Sequence, residues 1–267
     1  MTLGHVIRNV SVLVAIVIVA YAGLCLLLFA SQRSMIYQPQ RSAVKDPNES
    51  VMLKVPGATL QITVRPHAGA KALIYFGGNA ENVSFSLPEF SRGFPDRALF
   101  LMHYRGYEGS SGKPSEEAIQ SDALALYDKV YVEYPHIAVV GRSLGSGVAV
   151  RLASLRPVTG LVLVTPYSSI QDIAENRFAY FPVRWLLMDK FESWRYAAAI
   201  KAPTLLLAAG NDEVIPLTST QKLYHAFLPS VASLKILPYF GHNDISSSPV
   251  YLEDIRDALT SATERSL

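Results

Sequence analysis

The chain has 267 residues, half of them hydrophobic, which is enough apolar material for one large α/β domain with a sizeable core. Its formal net charge of +2 and its scattered lysines and arginines argue against a nucleic-acid-binding protein. The single cysteine, Cys25, lies in the apolar N-terminal stretch, so the sequence offers neither a disulfide nor a thiolate metal site, and the redox compartment stays open.

The first predicted element is one N-terminal transmembrane helix over residues 10–30. These roughly 21 residues carry no formal charge and can cross a hydrocarbon core about 30 Å thick. A cleaved signal peptide has a shorter apolar run and a better small-residue cleavage pattern, so we expect an uncleaved anchor. A signal peptide and a buried core helix are the alternatives. Arg8 and Arg33 flank the run, and the charges do not predict on which side of the membrane the rest of the chain lies.

We expect residues 1–37 to form the anchor and the segment next to the membrane, and residues 38–267 to form one folded domain. A connector with prolines and charges, residues 38–50, leads into this domain. Two strand-like runs, residues 51–55 and 59–64, flank Pro56-Gly57, a turn signal, and predict a β-hairpin.

The rest of the domain alternates between strands and helices. Short, almost continuous apolar runs predict strands that are buried on both faces, at residues 72–76, 98–102, 137–140, 161–164, 204–208 and 234–237. Helical segments are expected at residues 115–134, 144–156, 217–227 and 250–260. This order predicts an α/β fold with a mostly parallel central sheet covered by helices on both faces. The segment of residues 165–203 is longer than one crossover helix needs, and we expect it to form either a lid over the strand ends or a pair of packing helices.

The run Gly141-Arg142-Ser143-Leu144-Gly145 directly follows the strand at 137–140 and directly precedes a helix. In this G-x-S-x-G context a sharp turn lifts the serine out of the sheet, and the glycines allow strand and helix to approach closely. The helix N-terminus favours negative charge that develops beside the serine. We therefore predict that Ser143 is a nucleophile, and a glycine-rich turn with a capping serine is the alternative.

A serine hydroxyl needs a base, and in this arrangement the acid and then the histidine follow the serine along the chain. His242 follows the last strand run and is the predicted base, because a loop at that strand end can place it over Ser143. His225 lies within a predicted helix and is interpreted as structural. His103 precedes the serine and is the rival base.

The acid should follow the strand at 204–208, and Asp212 is the predicted residue that orients His242. Glu213 is the alternative acid. Asp244 is too close in sequence to the histidine to be a natural partner. A structural role for Asp212, as a turn-forming residue after an asparagine, is the remaining alternative.

An oxyanion hole for acyl transfer needs two backbone N–H donors, and the sequence predicts those of Leu144 and Asn79. The first follows the nucleophile, and the second lies in the Gly77-Gly78-Asn79 loop after the third strand, where glycines permit close backbone approach. No metal-binding pattern, dinucleotide fingerprint or P-loop is present in the sequence, so neither a metal nor a nucleotide cofactor is expected.

After about Ile36 the chain resembles the α/β-hydrolase superfamily, and in particular its membrane-anchored abhydrolase-domain and bud-emergence-type serine hydrolases. The resemblance rests on Ile36-Tyr37-Gln38-Pro39, Gly78-Asn79-Ala80, Tyr104-Arg105-Gly106-Tyr107, the Ser143 motif, Asp212-Glu213-Val214-Ile215-Pro216 and Gly241-His242-Asn243-Asp244. It implies the same nucleophile, acid and base as the spacing. Two positions depart from the family, which usually has a histidine at Gly77 and often an acidic residue at His103.

The expected function is a serine hydrolase that cleaves carboxylic esters or thioesters through an acyl-enzyme on Ser143. Its expected partners are a small-molecule or lipid-like acyl ester as substrate and the membrane, through the N-terminal helix. A peptidase or amidase with the same catalytic residues is the near alternative. A non-catalytic membrane-tethered scaffold on a hydrolase fold is the alternative from another class.

Overall fold

A computed structural model describes residues 3–40 and 50–264 of the protein. The strands in these ranges are β1 (Ser50–Val55), β2 (Ala58–Arg65), β3 (Lys71–Phe76), β4 (Ala98–Met102), β5 (His136–Arg142), β6 (Gly160–Val164), β7 (Thr204–Ala209) and β8 (Ala232–Leu237). The helices are α1 (Leu3–Ile36), α2 (Leu87–Gly93), α3 (Glu116–Tyr131), α4 (Leu144–Leu155), α5 (Ile170–Arg177), α6 (Val183–Leu186), α7 (Trp194–Ala197), α8 (Leu217–Ala226) and α9 (Tyr251–Glu264). Most of the predicted connector, residues 41–49, lies outside the described residues.

The strands form one sheet in the order β1-β2-β4-β3-β5-β6-β7-β8. In this order the six strands from β4 to β8 run parallel to one another, whereas β2 is antiparallel to both β1 and β4. The predicted hairpin is present, and its last pair, Val55 and Ala58, encloses the Pro56-Gly57 turn. The mostly parallel sheet is therefore confirmed, with the antiparallel hairpin at one edge.

Alternate residues of the central strands pack against helices on opposite faces of the sheet. Ile74 of β3 belongs to a core with Ile119 of α3 and Val148 of α4, whereas its neighbour Leu73 belongs to a second core with Phe90 of α2. Helix α9 covers the same face as α2. Burial on both faces explains why these strands are almost continuously apolar in sequence. The predicted helical cover on both faces is confirmed, although the sequence did not indicate α2.

Helix α4 approaches the strands β5 and β3 so closely that glycine is required at the contacts. A Cβ atom at Gly141 would lie 2.4 Å from the carbonyl oxygen of Gly145, and one at Gly145 would lie 2.1 Å from the carbonyl oxygen of Phe76. Both neighbours are backbone atoms, so neither can move without displacing the sheet or the helix. These two glycines fix the position of the intervening turn above the sheet.

Gly145→Ala is expected to destabilise the protein by about 3 kcal/mol or more, because the new methyl group overlaps a backbone carbonyl in a packed core. A thermal unfolding curve of the full chain in detergent measures the effect. Gly23→Ala in α1 is the matched control, since its Cβ atom would meet nothing within 4 Å. Equal melting temperatures for the wild type and Gly145→Ala would contradict the packing argument.

Residues 165–203 contain three short helices, α5, α6 and α7. Helix α7 packs against α4 and α8, as an ordinary packing helix does. Helices α5 and α6 pack on each other and line a cavity with α1. The packing of α7 agrees with the second alternative, and a lid stays a prediction.

Helix α1 has 34 residues and contains the whole predicted span. In the described part of the chain it is the one helix that is long and apolar enough to cross a membrane, with a mean hydropathy of 3.0 over its most apolar 18 residues. No part of that window is buried by the rest of the protein. A hydrophobic surface of this size, exposed over so many turns, suits a lipid environment.

The C-terminal turn of α1 is fixed to the domain by polar contacts, and we call Gln32, Arg33, Tyr37 and Asp189 the α1 clasp. Arg33 Nε lies 2.9 Å from Asp189 Oδ2, and the Tyr37 hydroxyl donates to the same oxygen at 3.1 Å. Gln32 donates to the Leu186 carbonyl at 3.1 Å and accepts the Met188 N–H at 2.7 Å.

Within the α1 clasp, the side chain of Asp189 is shielded from water and is 6% exposed, whereas that of Arg33 is 47% exposed. Burial and the neighbouring Asp189 carboxylate raise the pKa of Tyr37 above its usual range, so Tyr37 is a neutral donor at physiological pH. These contacts cross the predicted boundary at residue 37. That boundary stays a prediction, and the last turn of α1 packs against the domain that follows it.

Candidate active site

Ser143 lies in the turn between β5 and α4, with φ of 49° and ψ of −117°. A positive φ is unfavourable for a residue other than glycine and costs on the order of 1–3 kcal/mol, so the surrounding contacts must maintain it. The Ser143 N–H donates to Val164 O at 2.9 Å, and the Gly145 N–H donates to Gly77 O at 3.1 Å. The turn therefore presents the Ser143 side chain at the carboxyl ends of the parallel strands.

The structure brings Ser143, His242 and Asp212 together in one hydrogen-bonded chain. Ser143 Oγ lies 2.9 Å from His242 Nε2, and His242 Nδ1 lies 2.9 Å from Asp212 Oδ2. The side chains of His242 and Asp212 are 8% and 4% exposed. A carboxylate beside Nδ1 requires the proton on that nitrogen, which leaves Nε2 free to accept the serine proton.

The loop after β7 holds the Asp212 carboxylate in place. Its Oδ1 atom accepts the Val214 N–H at 2.9 Å and the Ile215 N–H at 2.7 Å. These are the hydrogen bonds of a turn-forming aspartate, so the structural interpretation of this residue also holds. The same carboxylate is oriented by its own loop and faces the imidazole of His242.

The other acidic and histidine candidates lie in different positions. Glu213 Oε2 accepts the backbone N–H of His242 at 3.3 Å, and so contacts the histidine through its main chain. Asp244 accepts the Gly241 N–H at 2.6 Å and closes the same loop. His225 lies within the predicted helix, in the exposed last turn of α8.

The rival base, His103, lies in the interior beside β2. Its Nε2 atom is 2.9 Å from Thr63 Oγ1 and 3.2 Å from Ser84 Oγ. Burial lowers its pKa from the usual 6.5 to about 4, so it is neutral at pH 7. Its hydrogen bonds connect β2 to the segment before α2, which indicates a structural role for His103.

His103→Gln is expected to make the stability less sensitive to acid. An unfolded chain binds a proton on His103 below pH 6.5, whereas the folded protein binds it only near pH 4, so the wild type loses stability as the pH falls between these values. The loss from this group is about 2–3 kcal/mol at pH 4.5. Melting temperatures of both proteins at pH 7 and pH 4.5 measure the difference, and an equal fall in both would contradict this role for His103.

The predicted oxyanion donors border the nucleophile. A Cβ atom at Gly78, next to Asn79, would lie 3.7 Å from Ser143 Cβ, so this loop faces the serine. Asn79 is held through its carbonyl, which accepts the Tyr107 hydroxyl at 2.7 Å. Within the described residues no acceptor is hydrogen-bonded to the N–H of Leu144 or Asn79. Both N–H groups are therefore available to a ligand.

An ion pair between Glu81 and Arg142 connects the loops of the site, and the sequence interpretation missed it. Glu81 accepts the Gly78 N–H at 2.8 Å, and Arg142 Nη1 lies 3.4 Å from its carboxylate. Arg142 also donates to the carbonyl of Asn243, beside His242, at 3.3 Å. The pair thus fixes the oxyanion loop, the nucleophile turn and the histidine loop relative to one another. Its signal in sequence was slight: an arginine within G-x-S-x-G and a glutamate after the Gly-Gly-Asn run.

The departure from the family at Gly77 has a steric explanation. A Cβ atom at this position would lie 2.5 Å from Val83 Cγ1, so the space that a histidine side chain would need is occupied. The loop is held instead by Glu81 and by the Tyr104 hydroxyl, which donates to the Gly77 carbonyl at 2.8 Å. These contacts hold the loop in place without a histidine at this position. Among residues 3–40 and 50–264, no three histidine, cysteine, aspartate or glutamate side chains are arranged so that they could hold a metal ion.

Several known proteins are similar to this chain in sequence, although no family model matches it. It is 32% identical over 265 residues to an uncharacterized protein of Mycobacterium tuberculosis, covering 92% of this chain and 94% of that protein. It is 29% identical to protein bem46 of Schizosaccharomyces pombe, over 70% of this chain and 66% of the relative. Lysophosphatidylserine lipase ABHD12 of Xenopus tropicalis is 29% identical over 58% of this chain and 48% of its own length.

The solved structure of the Pyrococcus furiosus esterase Pf2001 matches the fold with a TM-score of 0.70 at 16% identity, over 85% of this chain and 98% of the esterase. At this identity the match concerns the fold alone. It agrees with the strand order and with the helices on both faces of the sheet. Taken with the sequence relatives, these findings show that the chain belongs to the α/β-hydrolase superfamily and is similar to its abhydrolase-domain and bem46 members.

Proposed function

We propose that the protein is a serine hydrolase, anchored in a membrane by α1, which cleaves carboxylic esters or thioesters through an acyl-enzyme on Ser143. The hydrogen-bonded chain from Ser143 through His242 to Asp212 is the observation that carries this proposal. The strained turn at Ser143 and the free N–H groups of Leu144 and Asn79 support it. The names of two matched proteins, a lipase and an esterase, support a carboxylic ester as substrate.

In the first half-reaction, Ser143 Oγ attacks the acyl carbonyl carbon while His242 Nε2 takes the hydroxyl proton. The carbonyl oxygen gains negative charge and accepts hydrogen bonds from the N–H groups of Leu144 and Asn79. When the tetrahedral intermediate collapses, the bond to the leaving group breaks, and His242 gives its proton to the departing alcohol or thiol. The acyl group is then bonded to Ser143.

In the second half-reaction, His242 takes a proton from water, and the resulting hydroxide attacks the acyl carbon. The bond to Ser143 Oγ breaks, the serine recovers its proton from His242, and the carboxylic acid leaves. Asp212 stabilises the imidazolium in both halves through its hydrogen bond to Nδ1. In each half-reaction His242 gives away the proton that it took, so water is the only reactant needed besides the ester.

A fluorophosphonate probe tests this proposal directly, because it reacts with an activated serine hydroxyl and not with an ordinary one. The full chain in detergent should form one adduct, which mass spectrometry assigns to the peptide that contains Ser143. Heat-denatured protein is the control and should not react. Folded protein that stays unlabelled, or that carries its adduct on another residue, would contradict the proposal.

A further inference from the structure

An apolar cavity of about 220 Å³ lies between the C-terminal half of α1 and the short helices α5 and α6. Gln32 and Arg177 are the polar residues in its wall, and the others are hydrophobic. Helix α1 contributes an entire side of the cavity, which would be open without it. The apolar residues used below to probe its two sides are Leu28 of α1 and Ala174 of α5.

This cavity borders the oxyanion loop. The carbonyl of Ile36, a residue of the cavity wall, accepts a hydrogen bond from Asn79 Nδ2 at 3.2 Å. The backbone N–H of Gln38, two residues further, donates to the carbonyl of Asn79 at 3.2 Å. Because the neighbouring Gly78 faces Ser143, these hydrogen bonds connect the cavity wall to the loop that borders the nucleophile.

The cavity also lies along the membrane helix. The Tyr21 hydroxyl donates to the carbonyl of Tyr180 at 2.8 Å, and its ring stacks on Phe181 with centroids 5.7 Å apart. Tyr21 precedes Ile36 by 15 residues, which is roughly 22 Å along the helix axis. The segment between α5 and α6 therefore reaches well into the apolar length of α1.

Two aromatic side chains of the same region point away from the protein. Tyr180 is 90% exposed and Trp185 is 85% exposed. Exposed tyrosine and tryptophan beside a membrane helix are typical of the boundary between headgroups and hydrocarbon, where an amphipathic ring is stable. Trp185 fits this boundary, because its neighbour Leu186 is hydrogen-bonded to Gln32 beyond the end of the apolar run, whereas Tyr180 lies deeper, beside Tyr21. The region that lines the cavity is therefore next to lipid.

We propose that the cavity is the site of a lipid acyl chain, that α1 forms one of its walls, and that the chain enters sideways from the bilayer. The inference rests on the proposed function, since the ester carbonyl at the end of the chain would reach Ser143. It makes α1 part of the substrate site as well as an anchor. The substrate class is then a membrane lipid whose long acyl chain is bonded as an ester or thioester.

Chain-length profiles test the wall formed by α5. Ala174→Phe narrows the cavity, and Ala179→Phe places the same side chain at an exposed position that does not line it. The full chain in phosphatidylcholine vesicles is assayed with p-nitrophenyl butyrate and p-nitrophenyl palmitate. We expect Ala174→Phe to lower kcat/KM for palmitate by about 10-fold or more and for butyrate by less than about 2-fold, with the control like wild type. Equal losses for both esters would overturn the proposal.

A second pair tests the wall formed by α1. Leu28 lines the cavity, whereas Leu26 is 68% exposed and does not. Leu28→Trp should reduce palmitate hydrolysis selectively, by about 10-fold, and Leu26→Trp should leave the profile unchanged. If both leucine variants behave alike, α1 is not a wall of the acyl site.

Cross-linking separates failure of this inference from failure of the proposed function. The Ser143→Ala variant in the same vesicles is incubated with a palmitoyl ester that carries a diazirine near the end of its chain, and is then irradiated. We expect cross-linked peptides from residues 28–36 and 170–178. Cross-links there combined with a wild type that hydrolyses no ester would retain the site and refute the hydrolase. Active wild type with cross-links elsewhere would refute the site alone.

Discussion

Ser143→Ala is expected to lower kcat/KM for a p-nitrophenyl ester by about 10⁵-fold or more. Without the Ser143 hydroxyl, no acyl-enzyme can form, and His242 has no serine proton to accept. A residual acceleration over water should remain, because the N–H groups of Leu144 and Asn79 still bind the carbonyl oxygen. Initial rates over a series of ester concentrations measure the change, and a circular dichroism spectrum verifies the fold.

A serine on the same helix provides the control for this prediction. Ser154 lies near the opposite end of α4, and its hydroxyl donates to the Arg151 carbonyl at 2.7 Å within the helix. Ser154→Ala should retain activity within about 2-fold, because the lost hydrogen bond lies within the helix and away from the catalytic residues. A Ser143→Ala protein that is folded and keeps a tenth of the wild-type activity would show that another residue is the nucleophile.

Asp212→Asn is expected to lower kcat by about 10⁴-fold while the fold is retained. The amide is nearly the same size as the carboxylate, but its NH₂ group can donate to Nδ1 and so favour a proton on Nε2. His242 would then present a donor to Ser143 Oγ where an acceptor is required. Steady-state kinetics at pH 7–8 measure the loss, and fluorophosphonate labelling should slow in parallel.

Glu213→Gln decides between the two acids that the sequence allowed. Its carboxylate contacts the backbone N–H of His242 and not the imidazole, so we expect a loss of no more than about 10-fold. If the activities of Glu213→Gln and Asp212→Asn are lowered equally, the loop as a whole orients His242. If the activity of Glu213→Gln is lowered further than that of Asp212→Asn, the assignment of the acid to Asp212 is wrong.

The strands and the position of the serine could be predicted because their physical causes are local in sequence. A strand buried on both faces needs an unbroken apolar run, and β3, β5, β6 and β7 each provide one. The turn at Ser143 needs glycines at fixed spacing, since Gly141 and Gly145 have no space for a side chain. The order of the strands along the chain predicted the loops on which Asp212 and His242 lie.

The features that the sequence missed depend on contacts between distant segments. Helix α2 is seven residues long and too short to show a clear helical period. Glu81 and Arg142 are 61 positions apart, and Arg33 and Asp189 are 156 positions apart. Nothing near these residues in the sequence indicates that each will be paired with an opposite charge. Pairing of this kind follows from the tertiary fold and not from local pattern.

The α1 clasp has a consequence for how such a protein can diversify. An anchor joined by a loose linker is a module, and recombination can exchange it for any other hydrophobic helix. Here Gln32, Arg33 and Tyr37 hold specific partners on the segment around Asp189. An exchanged helix that lacked these side chains would leave the Asp189 carboxylate buried without its cation, which is strongly unfavourable. Exchange of the helix alone should therefore destabilise the hydrolase domain.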